Sequence, residues 1–425
     1  MSSTAAEGAK PALGGSTTRR GSAGRSGGAG ARSGLALLEH PLTSYYLIVG
    51  ASGLLLTLGL VMVLSASSVE SYVQSGSSFT IFQKQALWVS LGLPLMVVAS
   101  RLPVRAFRLF AWPLLVGSVG LLALVPLVGV TVNGNRNWIP LPAGVALQPS
   151  EIAKLGLVVW SADLLARKHR TLGQWKHLLV PLVPVAMLVI GLVLAGDDLG
   201  TAMILMAIVA ALLFLVGTPA RLFVASTALA AVAVAALVLT SPNRIQRISN
   251  WLSPGQDYLG TGWQVTHGKY ALATGGWWGL GLGASRQKWG ALPEAHTDFI
   301  FAIIGEELGL VGTITVLLLF AALAYGGFRV ALRSSDLFVR LAAGGVTAWV
   351  LIQLVINVGA VLGLLPIVGV PLPLVSYGGS SLVTMMVSLG MLLALARAEP
   401  SAAAALRARA PLRERLRRLR REGGR

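Results

Sequence analysis

The sequence predicts an all-α polytopic membrane protein of about ten transmembrane helices, with both termini cytoplasmic and a large extracytoplasmic loop between helices seven and eight. Three observations carry this reading. Hydrophobic residues fill 55% of the 425 positions and charged ones only 12%, with a mean hydropathy of +0.74. A soluble domain cannot absorb so much apolar sequence. The apolar runs are continuous and rich in Leu, Val, Ala and Gly, whereas a barrel would show short alternating strands. Arg and Lys gather on alternate inter-run segments, which places them all on one side.

Residues 1–43 are mostly Gly, Ser, Ala and Arg, and read as a disordered basic cytoplasmic arm. The run that follows is too long and too far from the start for a cleaved signal, so it is read as a retained span. Spans are expected near 45–65, 86–100, 107–130, 152–166, 178–195, 199–216, 222–240, 299–324, 341–365 and 382–396. Together they make a membrane domain over 44–398, followed by an Arg-rich cytoplasmic tail over 399–425. In that tail, 406–421 has the pattern of a basic amphipathic helix. The even number of spans puts Arg101, Arg105, Arg108, Arg167, Lys168, Arg170, Arg333 and Arg340 on the same side as both tails, and that side is cytoplasmic.

A net charge of +18 would point to nucleic acid in a soluble protein. Here the cations flank apolar spans, so positive-inside bias accounts for them and no nucleic-acid partner is expected. Absence of cysteine excludes disulfides, thiolate metal sites and cysteine nucleophiles.

The outer loops are then 66–85, 131–151, a short turn at Asp197 and Asp198, 241–298, and 366–381. The loop 241–298 opposes the charge bias, with Arg244, Arg247, Lys269, Arg286 and Lys288 against Asp257, Glu294 and Asp298. Such a pool of cations beside a membrane suits phosphate or pyrophosphate. Its Trp251, Trp263, Trp277, Trp278 and Trp289 read as an aromatic belt at headgroup level. Residues 279–283 (GLGLG) read as a tight, flexible turn, and His267 as a polar loop histidine.

Asp298 is the residue to explain. An acid where a hydrated loop enters the membrane can meet a lipid-borne substrate and keep enough water to ionise, whereas deeper burial would neutralise it. Glu306 and Glu307 follow about 12 Å further along the helix and point to different faces, so a structural role is expected for both, with Asn357 as a candidate partner. Asp163, Asp197 and Asp198 sit near helix ends and are read as structural. Ser150 is placed to cap a helix whose first turn holds Glu151, one turn from Lys154. Residues 371–381 are rich in Pro, Gly and Ser and read as a re-entrant or irregular segment lining a protein-walled cavity.

Several motifs recur in order: Asn133-Gly134 through Trp138; Gln148-Pro149-Ser150-Glu151 with Lys154; Gly275-Gly276 through Gly283; Pro293 to Phe299 with Glu306-Glu307-Leu308-Gly309; Asn357; Gly363 to Pro366; and Leu372-Pro373 with Ser376 to Ser381. They resemble the SEDS family (shape, elongation, division and sporulation), most closely its cell-division FtsW branch, with the RodA-like elongation branch as the near alternative. The likeness covers about 45–397 and only the tails fall outside it. It implies a peptidoglycan glycosyltransferase that polymerises lipid II at the outer face of the bacterial cytoplasmic membrane, at the division septum. It also implies a class B penicillin-binding transpeptidase and other divisome proteins as partners. By position Asp298 matches the family's outer-loop aspartate. That role is general base, or orientation of a cation, while the acceptor sugar hydroxyl attacks the donor anomeric carbon and undecaprenyl pyrophosphate departs with inversion. The leaving group needs charge stabilisation more than protonation, for which Arg136, Lys154, Arg244, Arg286 and Lys288 are candidates, and a divalent cation could share the task. Trp138, Glu151, Gln264, Glu294, His296, Ser376 and Ser380 complete the expected substrate-binding set. The chain departs from the family where Asn137 replaces the usual Arg before the tryptophan, and where His267-Gly268 replace Gln-Ser. A lipid II flippase or transporter is the rival reading. It fits less well because the acid and cations gather at one face, whereas an alternating-access site sits near the midplane between repeated halves, and no internal repeat is evident.

Overall fold

The computed structural model describes residues 40–132, 135–141, 145–171, 175–240, 242–253 and 261–409. The expected basic arm and most of the 406–421 stretch lie outside them, as do Asn133, Gly134 and Asp257. Among the described residues the chain forms α1 (Thr43–Ser75), α2 (Thr80–Arg101) and α3 (Val104–Val128), then strands β1 (Val130–Val132), β2 (Asn135–Leu141) and β3 (Val145–Leu147). There follow α4 (Pro149–Arg167), α5 (Trp175–Leu194), α6 (Leu199–Leu215), α7 (Ala220–Leu239), α8 (Pro242–Leu252), α9 (Thr261–Gly275), α10 (Ile300–Arg333), α11 (Leu337–Val361), α12 (Ser380–Ala398) and α13 (Pro400–Arg409).

Seven of these, α1, α2, α3, α7, α10, α11 and α12, are long and apolar enough to cross a membrane, while α5 and α6 carry shorter apolar stretches, Leu179–Leu194 and Leu199–Leu215. The core is built on α4, α11 and α12, whose side chains are buried on nearly every face. α4 tolerates that burial because its charges are matched locally. Glu151 pairs with Lys154 at 2.8 Å, and Asp163 accepts from Arg108 at 2.9 Å and Arg167 at 2.7 Å. α7 is the opposite case, apolar all round with no buried residue, as a helix facing lipid should be.

Local chemistry sets the boundaries. Leu102 precedes Pro103 and is extended (φ −67°, ψ 143°), so α2 cannot run on into α3. The Asp198 side chain caps α6 by accepting from Thr201 N at 2.9 Å, and Asp336 caps α11 through Phe338 N at 2.9 Å.

Three expectations need correction. Residues 66–75 are helix and not loop, because α1 continues to Ser75 with Ala66, Ser67 and Ser71 buried; this polar extension carries no hydropathy signal. The segment 131–151 is not wholly irregular, since β1, β2 and β3 make a small antiparallel sheet pairing Val130 with Trp138 and Ile139 with Leu147. The loop 241–298 contains two helices, α8 and α9.

α10 is broken at Gly309 (φ 67°, ψ −163°). The backbone groups released by the break are taken up by the segment that precedes the helix in sequence. Leu280 N and Gly281 N donate to Glu306 O and Glu307 O at 2.9 and 3.0 Å, while Leu310 N and Val311 N donate to Gly276 O and Trp277 O at 2.9 and 3.3 Å. Thus the glycine-rich run is not a free turn but a strand-like insert across a helix break. From Leu310 to Arg333 is about 36 Å of helix, long enough by itself for the core of a bilayer. Trp277 and Trp278 sit at the break with 69% and 82% of their surface exposed, in keeping with an interfacial belt.

This insert makes a sharp prediction. Gly279 has φ +78°, and a Cβ there would lie 2.1 Å from Glu307 O. Gly279→Ala should destabilise the protein by more than about 2 kcal/mol, because strain and a backbone clash add. Gly281→Ala, also at positive φ but with open space around it, should cost less. Thermal unfolding of the two variants in one detergent is the measurement.

Candidate active site

Asp298 is the last residue but one before α10, at the far end from the arginine-rich side. Its backbone position is fixed from three directions. Within the turn, Glu294 (φ 55°) accepts from Thr297 N and Phe299 N at 3.2 Å each, and Thr297 Oγ1 donates to Glu294 Oε2 at 2.6 Å. From α11, Asn357 Nδ2 donates to Asp298 O and to Val370 O, both at 2.8 Å. From the irregular segment before α12, Ser376 Oγ donates to Thr297 O at 2.6 Å while accepting from Leu372 N at 2.8 Å, and Tyr377 N donates to His296 O at 3.0 Å. Gln85 of α2 then donates to Ser376 O at 3.2 Å. Asn357 was expected near Glu306 or Glu307; its amide is instead the bolt between the Asp298 turn and the 370–376 backbone.

Asp298 is half-buried as a residue, and among the described residues no donor is hydrogen-bonded to its carboxyl. A Cβ added to Gly369 (φ +71°) would touch its Oδ2 at 3.5 Å, so this glycine leaves the carboxylate uncrowded. Burial pushes the Asp298 carboxyl up to about 7, the Glu294 carboxylate adds to the rise, and Arg247 and His296 oppose it.

Arg247 stands on α8, one turn from Arg244. That helix is pinned at both ends, by Arg244 to Asp197 at 3.2 Å and by Trp251 Nε1 to Gly363 O at 3.1 Å. The sequence placed Arg247 in the cationic loop without marking it as a site residue. Its spacing of three from Arg244 and four from Trp251 was the available signal.

The other expected residues divide into groups. His296, Glu294 and Ser376 join Asp298 in one knot. Ser376 also lines a small interior cleft with Glu151, Gln353 and Ser381, and behind it the Glu151–Lys154 pair is buried with the Lys154 amine 5.3 Å over the Trp349 ring. Ser380 Oγ accepts from Gln148 N at 3.0 Å, and Gln148 and Asn137 both donate to Asp198, which ties β2 to the start of α6. Arg136 and Trp138 lie on β2. Arg136 is exposed and its Nε donates to Gly129 O at 2.9 Å. Gln264 is half-buried on α9.

Arg286 and Lys288 lie instead on the loop held by the two glutamates. Glu306 accepts from Ser285 Oγ and from Arg286 N at 3.0 Å, and Glu307 accepts from Ser65 Oγ at 2.6 Å and pairs with Lys288 Nζ at 3.2 Å. The Lys288 amine is also bonded to Gly283 O at 2.7 Å and is buried, whereas the Arg286 side chain is exposed. His267, on α9, lies 2.6 Å from Gln287 Oε1 through Nδ1 and stacks on Trp263 at 4.0 Å. Among the described residues no three His, Asp or Glu side chains converge as metal ligands.

Residues 45–400 match the family model described as cell cycle protein, FtsW/RodA/SpoVE. The chain is 44% identical over 375 residues to the probable peptidoglycan glycosyltransferase FtsW of Mycobacterium tuberculosis, covering 88% of this chain and 71% of that one. It is 38% identical over 353 residues to the stage V sporulation protein E of Bacillus subtilis, covering 83% and 96%. Among solved structures, a chain of a peptidoglycan synthase complex coordinating polymerization and crosslinking superposes with TM-score 0.70 at 31% identity, covering 83% of this chain and 97% of that one. RodA of Thermus thermophilus superposes with TM-score 0.61 at 28% identity, covering 84% and 97%. By the family model over 45–400 and by relatives of this identity and coverage, this chain is a member of the FtsW/RodA/SpoVE cell cycle protein family.

Proposed function

We propose that the protein is an inverting peptidoglycan glycosyltransferase that polymerises lipid II at the outer face of the bacterial cytoplasmic membrane during division, with Asp298 as general base. The observation that carries this is the Asp298 carboxyl on a turn fixed just before α10, raised by burial to about 7 and acted on by the positive charge of Arg247 from α8. A carboxyl near neutrality is strong enough to take a hydroxyl proton and still ionised often enough to act at cellular pH. As the acceptor hydroxyl attacks the anomeric carbon, its O–H bond breaks toward Asp298 and the bond to the pyrophosphate oxygen breaks on the opposite face. Arg247, with Arg244 one turn away on α8, supplies the positive field that a departing pyrophosphate needs, and the exposed Arg136 and Arg286 are further candidates. Lys154 and Lys288, also expected in that role, are each paired with a buried glutamate that offsets their charge.

In this reading α4, α5 and α6 join the seven longer helices as ten spans. Both termini and the arginine-rich ends are cytoplasmic, and the α8–α9 region and the small sheet are outside. The names of the relatives support the division role over elongation, and the synthase-complex neighbour supports a class B penicillin-binding transpeptidase as partner.

The test is lipid II polymerisation by the purified full chain with its cognate transpeptidase. Glycan chains are expected. No chains, together with passage of lipid II across vesicles, would replace the polymerase reading with the transporter one. Septal enrichment of a fluorescent fusion checks the division role, and uniform lateral-wall signal would favour elongation.

A further inference from the structure

The polar extension of α1 brings a residue to the site that the reaction as written does not use. Glu70 Oε2 lies 3.2 Å from His296 Nδ1, across more than two hundred residues of sequence. His296 is 7% exposed, and its ring centroid is 5.5 Å from that of Tyr377. Its backbone carbonyl is already taken by Tyr377 N, so the main chain is fixed and only the imidazole is left to respond. On its outer side Glu70 accepts from Gln74 Nε2 at 3.0 Å, and its side chain is 43% exposed. The titratable groups around the imidazole are Glu70 from α1, Tyr377 from the segment before α12, and Glu294 and Asp298 from its own turn. Those acting on Asp298 are Glu294, Arg247 and His296.

A buried imidazole loses its charge unless a carboxylate stands against it, and Glu70 is that carboxylate. The imidazole's contact with Glu70 stands two residues from Asp298, on the same turn. We propose that Glu70 is a positioning residue that acts through His296, holding the imidazole as an oriented cation so that Asp298 regains its anionic form after each transfer. This rests on the base role proposed above for Asp298. The proton that Asp298 receives is passed to water, and the cation held beside the turn favours that release over retention.

The experiment is the pH–rate profile of lipid II polymerisation by the full chain with its transpeptidase, for wild type, Glu70→Gln, Glu70→Asp, His296→Gln and the Glu70→Gln/His296→Gln pair. For Glu70→Gln, loss of the cation should lower the rate about threefold below pH 7 and leave the plateau near pH 8 and the lipid II KM unchanged. Glu70→Asp should restore the wild-type limb in part, and the double variant should shift no further than either single one. A Glu70→Gln profile that superimposes on wild type, falls equally at all pH values, or adds fully to His296→Gln overturns the proposal. If Asp298→Asn polymerises normally, it is the base reading that fails. Should Glu70→Gln not fold, nitrogen NMR of the wild-type protein labelled in its five histidines decides. His296 doubly protonated where free imidazole has lost its proton supports the pairing, and a neutral ring at pH 6 overturns it.

Discussion

Asp298→Asn should lower lipid II polymerisation by about 10²- to 10⁴-fold, the range over which a positioned base contributes, without loss of fold or of transpeptidase binding. The wild-type rate should climb through pH 7 as the carboxyl ionises, since burial and Glu294 hold it near that value. The same shift makes a stability prediction of opposite sense. In the unfolded chain the carboxyl ionises near its ordinary 3.8, whereas in the folded chain it does so only near 7. The folded state therefore binds the proton more tightly, and its stability falls as pH rises between those values. Asn carries no such penalty, so Asp298→Asn should be more stable than wild type above pH 7, with the difference vanishing toward pH 4. Thermal unfolding across that range measures it. A dead but stabilised variant is the pattern expected of a functional group held against its own solvation; an active variant removes Asp298 from the base role.

Glu151→Gln should be the most damaging single change to the core. Lys154 is fully buried and Glu151 nearly so, and the two meet at 2.8 Å. Taking the charge from Glu151 strands an ammonium among apolar helices beside Trp349, at a cost of about 3–5 kcal/mol. Glu151→Gln combined with Lys154→Met should recover most of that loss, because the stranded charge is removed with its partner. Unfolding midpoints of the two variants give the result. The double variant also separates two roles: if it is stable but inactive, the pair serves the substrate through the Ser376 cleft, and if it is stable and active, the pair serves packing alone.

What was legible in the sequence was local or periodic. Each expected apolar stretch coincides with a helix, because twenty apolar residues admit few other solutions. The Glu151–Lys154 pair was visible because its partners lie within a turn, whereas Ser150, expected to cap α4, lies inside the helix that begins at Pro149 and makes no cap. Asp298 stood out because an acid at a membrane boundary needs a reason. The remainder depends on contacts that no window can see. The last ten residues of α1 are polar and helical only because Ser67 and Ser71 pack inward, so Glu70 was assigned to a loop and its approach to His296 was hidden. Glu306 and Glu307 were rightly given structural roles but with the wrong partner, since the loop that they hold lies about twenty residues upstream. Gly309 sits in an apolar run where a glycine is usually tolerated, and nothing nearby announces that Gly276 to Gly281 will complete its hydrogen bonds.

The break at Gly309 also has a bearing on how the chain is made. A membrane helix interrupted in this way exposes unpaired amides and carbonyls, and insertion would stall at that point if their partners arrived late. Residues 276–281 leave the ribosome before Gly309 does, so the segment that must receive the broken helix is already synthesised when α10 begins to form. Order along the gene thus matches order of assembly. A circular permutation that moved 276–281 behind α10 would keep every native contact and still be expected to insert poorly.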